Sequence, residues 1–292
     1  MKLLTKLRNR LRIRHRIERI WPRFVRLDGG TGIYADRGTR LWVAAHPDVY
    51  ERLARFVAKI LGEEESFIDC GANFGWISVS VARQLKRTGS SGRVLAIEAN
   101  GVTSALLSKT IRRNRLEEQI SVAKTFVGEA QGEIEFYECG GMSSAFFTDH
   151  IKDAMHKYGE QVRTKRVSCS SIDSLVEVYR MRNVGVVKID VEGAELSVLQ
   201  GCQKLIKERP TAVFIVETNP VTSRAAGYAI REIWNFFASR GFHVFVFAKG
   251  PRRCLVRVEH FDEAQLSEAG DIIAVQDPAL FYQRLGDSLS WD

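Results

Sequence analysis

The fold is decided by one stretch of the sequence, Phe67-Ile68-Asp69-Cys70-Gly71-Ala72-Asn73-Phe74-Gly75-Trp76. Its apolar start is typical of a buried strand, and its glycines precede a helical pattern. An open α/β sheet presents a binding site in this way, where a strand ends in an acidic residue and the chain turns sharply into a helix. The stretch therefore predicts a ligand cradle at the carboxyl end of a strand.

A second stretch has the same design: Val186-Val187-Lys188-Ile189-Asp190-Val191-Glu192-Gly193-Ala194-Glu195. Lys188 and Asp190 share one face of the predicted strand, because side chains alternate between faces. Asp190 and Glu192 place two carboxylates at a strand end, which favours a general base there. The dipole of the following helix accounts well for Glu195. We predict that this stretch forms the acceptor side of the site.

Strands and helices alternate on both sides of these two stretches. The patterns predict strands at 66–70, 93–98, 120–127, 133–137, 184–190, 211–217, 242–247 and 271–275. They predict helices at 47–61, 76–87, 102–115, 171–181, 193–208 and 228–240. Such an alternation predicts an α/β protein with a doubly wound, mostly parallel sheet.

The sequence also predicts how the chain is divided. The predicted parts are a basic amphipathic tail at 1–26, an extension packed on the core at 27–65, a main domain at 66–282 with an insertion at about 139–168, and a C-terminal tail at 283–292. The insertion is assigned where the alternation of strands and helices breaks. Its segment Gly140–Phe147 is either a gate over the acceptor or a solvated excursion packed by its own phenylalanines.

The positive charge of the chain is confined to the tail. The chain has 43 basic and 35 acidic residues, and residues 1–26 hold ten of the bases and one of the acids. The remaining 33 bases and 34 acids leave a neutral body, which argues against a nucleic-acid groove. A basic helix is predicted at 2–21, and three interpretations stay open: docking on the body, adsorption to an anionic membrane, or a nucleic-acid or organelle signal.

Cysteine usage and hydropathy favour a cytoplasmic protein. The five cysteines form no Cys-x-x-Cys pair, so neither a zinc site nor a disulfide framework is favoured. No apolar run is long enough to span a bilayer, and the first residues lack the apolar core of a secretory signal. Peripheral attachment at the inner face of a membrane is the alternative. Cys70 lacks a nearby base, so we interpret it as a packing residue.

The first stretch is not a dinucleotide motif, because it lacks Gly-x-Gly-x-x-Gly. The carboxylate of Asp69 suits an ammonium group, and the turn's backbone amides suit a carboxylate. The next predicted strand ends in Glu98, which can accept hydrogen bonds from both hydroxyls of a ribose. Together these features predict S-adenosylmethionine. The predicted cofactor residues are Asp69, Gly71, Ala72, Asn73, Gly75, Glu98, Ala99 and Asn100.

The chain resembles the FkbM family of class I S-adenosylmethionine-dependent methyltransferases. The residues that carry the resemblance are the 67–75 stretch, Ala96-Ile97-Glu98, Asn114, Gly132, 172–175, the 188–195 run with 198–201, and Phe214-Ile215-Val216-Glu217. The resemblance implies a seven-stranded Rossmann-like fold and methylation of a hydroxyl oxygen, often on a sugar or a polyketide-like product. One departure is Ala99, which stands where the family has proline and makes the loop less rigid.

The predicted catalytic residues are Asp190 as the base or acceptor-orienting group, Glu192 beside it, and Lys188 holding charge or a substrate oxygen. The expected acceptor is a hydroxyl of a sugar, a glycan or another small molecule. No resident metal is predicted. The alternative is a divalent ion shared by Asp190 with Glu217 or Asn219, since all three offer oxygen ligands.

Two other functions compete with methyl transfer. The first is a catalytically silent methyltransferase-like protein, recruited to nucleic acid or to a membrane by the basic tail. The second is a nicotinamide-dependent oxidoreductase, which the missing dinucleotide motif disfavours. Titration with S-adenosylhomocysteine and with NAD separates the oxidoreductase from a methyltransferase.

Overall fold

The structure is a computed structural model, and it describes residues 23–26, 31–36, 39–40, 47–139, 142–146, 152, 161–248, 253–286 and 290–291. The basic helix predicted at 2–21 lies outside these residues, and its three interpretations stay predictions. In the part of the chain that is described, no helix has the length and hydropathy needed to cross a membrane.

The strands of the described residues are β1 (Arg23–Arg26), β2 (Gly32–Ala35), β3 (Ser66–Cys70), β4 (Val94–Ile97), β5 (Ile120–Ala123), β6 (Phe126–Val127), β7 (Gly132–Cys139), β8 (Met142–Ser144), β9 (Arg163–Ser170), β10 (Val184–Ile189), β11 (Val213–Glu217), β12 (His243–Phe247), β13 (Arg253–Val258), β14 (Asp271–Val275) and β15 (Ser290–Trp291). The longer helices are α1 (Pro47–Ile60), α2 (Trp76–Thr88), α3 (Gly101–Asn114), α4 (Ile172–Val178), α5 (Glu195–Gln200), α6 (Gln203–Glu208), α7 (Pro220–Ala225), α8 (Ile230–Ala238), α9 (Glu263–Ala269) and α10 (Pro278–Leu285).

The main sheet confirms the predicted fold class. Among the described residues its strand order is β15-β13-β12-β14-β11-β10-β3-β4-β5. The strands β5, β4, β3, β10 and β11 pair in parallel, and β14 runs antiparallel between β11 and β12. These seven strands form the Rossmann-like sheet. It is wider than expected, because β13 pairs with β12 and β15 pairs with β13 at one edge.

The central strands are buried on both faces, which explains their continuous apolar runs. Neighbouring residues of β3 belong to different apolar clusters, Phe67 on one side of the sheet and Ile68 on the other. The polar residues Asp69 and Lys188 interrupt this pattern near the strand ends and are buried too. The buried charged groups Asp69 and Lys188 therefore lie near the carboxyl edge of the sheet.

A second sheet corrects the predicted insertion. Within the described residues its strand order is β6-β9-β7-β8. The insertion was expected at 139–168, yet 139 lies inside β7 and 163–168 lie inside β9, which pairs antiparallel with β7. The excursion is thus confined to the residues between these strands. The strand predicted at 120–127 is also divided, because β5 joins the main sheet and β6 joins the second.

Three further boundaries differ from the predictions. The helix expected at 193–208 is divided at Gly201 and Cys202 into α5 and α6. Glycine is required at 201, because a Cβ there would lie 2.2 Å from the Gly128 carbonyl oxygen. No element was predicted between 217 and 228 or between 247 and 271, where the structure has α7, β13 and α9. The tail expected to end at 26 ends in a strand, since β1 pairs antiparallel with β2.

The boundary predicted for the C-terminal tail, at residue 283, lies inside the last helix. The helix α10 continues to Leu285, which is fully buried together with Phe281. Arg284 of this helix donates to both carboxylate oxygens of Glu65, at 2.8 and 2.9 Å. The last turn of α10 therefore belongs to the core.

Candidate functional site

The two motifs meet in one cleft at the carboxyl edge of the main sheet. The cleft is lined by the predicted residues Asp69, Gly71, Ala72, Asn73, Glu98, Ala99, Lys188, Asp190 and Glu192. Two other predicted residues are not part of this lining: Gly75 is the N-cap of α2 and Asn100 is the N-cap of α3. Residues that were predicted from two distant stretches of the sequence therefore line the same cleft.

Gly71 joins the two motifs through the backbone. It has a φ of 76°, and a Cβ at this position would lie 1.8 Å from the carbonyl oxygen of Asp190. The Asp190 amide donates to the carbonyl oxygen of Cys70 at 3.1 Å. Only glycine allows this approach without displacement of the second motif.

A buried ionic network links the cradle to the acidic motif. The parallel register sets Lys188 directly beside Asp69. The Lys188 ammonium lies 3.6 Å from Asp69 Oδ1 and 3.1 Å from Asp190 Oδ2, and it is 3% exposed. Lys188 therefore bridges the two carboxylates, which refines its predicted role. The hydroxyl of Ser78 donates to Asp69 Oδ2 at 2.5 Å.

Burial raises the pKa of Asp69, and the Lys188 ammonium and the Ser78 hydroxyl oppose this effect. Ser78 was missed by the sequence analysis. Its signal is a serine within the buried, otherwise apolar face of α2. Such a buried hydroxyl needs a hydrogen-bond partner, and Asp69 is that partner.

The carboxylate of Glu98 is held by two nearby backbone amides. Its Oε2 accepts from the Asn73 amide at 2.9 Å, and its Oε1 accepts from the Asn100 amide at 2.8 Å. Burial raises the pKa of Glu98 to about 7, and these two amides lower it in part. The bond to Asn100 also closes the loop at Ala99, where the family has proline.

Asn100 has its own structural role. Its Oδ1 accepts from the amides of Val102 and Thr103, at 2.9 and 3.1 Å, and so caps the N-terminus of α3. Side-chain capping of this kind satisfies amides that lack a partner within the helix. Asn100 therefore shapes the loop after Glu98.

Glu195 supports the acidic loop from inside. Its Oε1 accepts from the amides of Val191 and Gly193, at 3.0 and 3.1 Å. Its Oε2 accepts from the Tyr228 hydroxyl at 2.8 Å. Burial raises the pKa of Glu195 despite these donors. The helix dipole therefore explains the presence of Glu195 only in part, because its carboxylate also fixes the loop that carries Glu192.

The described part of the insertion contacts the same loop. The Ser144 hydroxyl donates to the Glu192 carbonyl oxygen at 2.8 Å, and Ser143 lines the cleft. Phe146 packs near Gly193, which has a φ of 109°. Residues 140, 141 and 147 lie outside the described residues. The predicted gating role of this segment stays a prediction.

The described residues do not form a metal site of the usual kind around Asp190. Among the described residues, no three His, Cys, Asp or Glu side chains are grouped so that they could hold a metal ion. The Asn219 side-chain oxygen accepts from the Val221 amide and caps α7. Burial, and secondarily the charges of Asp190 and Glu192, raise the pKa of Glu217.

Cys70 has the environment of a packing residue. It is fully buried, and burial and the neighbouring Asp69 raise the pKa of its thiol. A buried thiol with a raised pKa is a poor nucleophile. All five cysteines lie in the described residues and are free thiols.

The cleft contains hydrogen-bond acceptors that the predicted cofactor could satisfy. Among the described residues, no donor hydrogen-bonds to Asp69 Oδ1 or Asn73 Oδ1, two buried oxygen atoms of the lining, although the Lys188 ammonium forms an ion pair with Asp69 Oδ1 at 3.6 Å. Buried polar atoms normally have partners, so such atoms indicate a ligand that donates. An ammonium group and hydroxyls, as in S-adenosylmethionine, supply such donors.

Several known proteins are similar to this chain. The family model of the methyltransferase FkbM domain matches residues 69–244. Methyltransferase 1 of Beauveria bassiana (strain ARSEF 2860) is 27% identical over 194 residues, which are 61% of this chain and 74% of that protein. The O-methyltransferase TomG from Streptomyces achromogenes has a TM-score of 0.44 at 11% identity, over 83% of this chain and 91% of that one. An O-methyltransferase from Bacillus cereus has a TM-score of 0.43 at 14% identity, over 82% and 89%.

The sequence match is the informative comparison, because it extends from the glycine turn through the acidic motif to β12. It confirms the resemblance that the motifs had indicated. Since the match includes more than half of the chain, the protein belongs to the FkbM methyltransferase domain family, whose methyl donor is S-adenosylmethionine.

Proposed function

We propose that this methyltransferase methylates a hydroxyl oxygen of a sugar, a glycan or another small-molecule acceptor. The observation that carries the proposal is the position of Asp190. Its side chain lines the cleft, is 32% exposed, and accepts a hydrogen bond from the buried Lys188 ammonium. A carboxylate that is both anchored and accessible can accept the proton of a hydroxyl.

The proposed cofactor residues are the eight that the sequence analysis named. When bound, S-adenosylmethionine supplies a methyl group that its sulfonium activates towards nucleophiles. Asp69 Oδ1 would accept from an ammonium group, and Glu98 would accept from ribose hydroxyls. The turn at Gly71 lets a ligand approach the backbone closely.

The proposed acceptor residues orient a hydroxyl and remove its proton. Asp190 accepts the proton as the new bond forms, which contributes about 10² to 10⁴ in rate. Lys188 fixes the direction of that carboxylate and balances the charge of Asp69. Phe126 and Phe136 line the same cleft and make part of its surface apolar.

The chemical nature of the product tests the proposal. Radiolabelled S-adenosylmethionine is incubated with the protein and a panel of glycans and hydroxylated small molecules, and each labelled product is treated with alkali. We expect an alkali-stable methyl ether. A labelled methyl ester, which alkali cleaves, or a label on nitrogen would contradict O-methylation of a hydroxyl. Activity that disappears in excess chelator and returns with Mg²⁺ would favour the metal alternative.

Cofactor affinity is expected to depend on the ionisation of Glu98. Its pKa is about 7, and ribose hydroxyls donate to the ionised form, so the affinity for S-adenosylhomocysteine should fall as the pH decreases through 7. The limiting slope is about tenfold per pH unit below this pKa. Calorimetric titrations between pH 5.5 and 8 measure it.

Glu98→Gln is the control for this pH dependence, since its amide does not titrate. The unliganded protein should show the opposite trend in stability. A carboxyl group whose pKa rises from 4.5 to about 7 on folding stabilises the fold below pH 4.5, and this contribution is lost as the pH rises through 7. Equal wild-type affinities at pH 6 and pH 8 would contradict the expected coupling between ligand binding and the ionisation of Glu98.

A further inference from the structure

Asn114 has no role in the proposed chemistry, although it is one of the residues that carry the family resemblance. It lies at the end of α3 and holds β2 by two hydrogen bonds. Its Oδ1 accepts from the Gly32 amide at 3.2 Å, and its Nδ2 donates to the Gly32 carbonyl oxygen at 2.7 Å. A second bond from Nδ2 to the Thr110 carbonyl oxygen, also 2.7 Å, fixes the side chain on its own helix.

Other residues of α3 hold the same hairpin of β1 and β2. The Tyr34 amide donates to the Thr110 hydroxyl at 2.9 Å. The Lys109 ammonium lies 4.3 Å from the centre of the Tyr34 ring, and the Arg113 guanidinium lies 5.5 Å from that of Phe24. One face of α3 therefore binds the hairpin through polar, cationic and aromatic contacts together.

This docking brings the hairpin to the cleft. Ile33 follows the clamped Gly32, is 1% exposed, and packs in one cluster with Phe74 and Trp76. Those two aromatic residues flank Gly75 in the glycine turn. Ile33 of the hairpin lines the cleft, and so does Thr39, which follows the hairpin in the sequence. The hairpin thus packs against the turn that carries the proposed cofactor residues.

We propose that the β1–β2 hairpin is a wall of the cofactor cleft and that Asn114 is the positioning residue that sets it. The inference rests on the proposed location of the cofactor. Residues that precede the matched domain at 69–244 then contribute to cofactor affinity. A loosened wall admits water to the cleft and speeds release of the ligand.

The test compares Asn114→Ala with Arg112→Ala, a matched control at an exposed position of the same helix. Binding of S-adenosylhomocysteine is measured by calorimetry and by stopped-flow dissociation. We expect Asn114→Ala to weaken binding about tenfold, mostly through faster dissociation, and Arg112→Ala to bind as the wild type does. Hydrogen exchange of the amides at 31–36 should slow when the ligand is added to the wild type.

A second variant separates a binding role from a folding role. Ile33→Ala removes part of the wall but leaves the Asn114 clamp in place, and we expect it to weaken binding as well. Wild-type affinity in both folded variants would overturn the proposal, whatever their thermal stability. If Asn114→Ala does not fold, Ile33→Ala decides alone. If Glu98→Ala, which removes both acceptor oxygens, also binds as the wild type does, the proposed cofactor location itself is wrong.

Discussion

Asp190→Asn is expected to lower the rate of methyl transfer by about 10² to 10⁴, while S-adenosylhomocysteine binds as it does to the wild type. Asparagine preserves the shape of the side chain but cannot accept a proton. The cradle keeps its own anchor, because Lys188 still faces Asp69 at 3.6 Å. Single-turnover kinetics with a saturating acceptor would measure the effect on the chemical step.

Glu192→Gln is the companion variant, and we expect it also to lower the rate of methyl transfer with cofactor binding retained, because Glu192 lines the same cleft beside Asp190. Glu118→Gln is the control for the loss of a carboxylate, since Glu118 is exposed and precedes β5 at the opposite edge of the sheet. Full methyl transfer in both Asp190→Asn and Glu192→Gln would remove these residues from the proposed mechanism. Loss of ligand binding in Asp190→Asn would instead assign it to the cofactor.

Gly71→Ala is expected to cause the largest loss of stability and of cofactor binding together. The positive φ costs about 1–2 kcal/mol for alanine. The added methyl group would also lie 1.8 Å from the Asp190 carbonyl oxygen, and overpacking of this kind costs a further 1–3 kcal/mol or so. Relief of the collision displaces the second motif from the first. Chemical denaturation and calorimetric titration measure the two effects.

Gly89→Ala is a matched control for the strain alone. Gly89 ends α2 with a φ of 71°, and a Cβ there would meet no atom within 4 Å. We expect it to lower the free energy of unfolding by about 1–2 kcal/mol and to leave ligand binding unchanged. Equal stability and equal binding in the two variants would show that the contact between Gly71 and Asp190 is unimportant.

The sequence predicted the elements whose signals are local. The strands β3, β4 and β10 are apolar because they are buried on both faces, and their acidic ends mark the cleft. The period of two correctly placed Lys188 and Asp190 together. The contact of Lys188 with Asp69 could not be predicted in the same way. It depends on the register between two strands, which the whole sheet determines.

Features with no local signal were missed or misplaced. The strand β9 is largely exposed and polar, so its composition resembles that of a loop. Tyr228 and Glu195 are separated by 33 residues and meet only because α8 packs beside α5. Asn114 and its partner are further apart still, since Gly32 lies 82 residues earlier in the sequence. Such pairs become visible once the chain is folded.

The contact between Glu65 and Arg284 has a consequence for how the chain is made. It joins residues 219 positions apart, and Arg209 lies 3.5 Å from the same carboxylate. During synthesis Glu65 leaves the ribosome long before Arg284, and until α10 is made Arg209 is the cation that faces its carboxylate, at 3.5 Å. A chain released before residue 284 would lack the two hydrogen bonds that Arg284 donates to this carboxylate. Its free energy of unfolding should therefore be lower than that of the full chain.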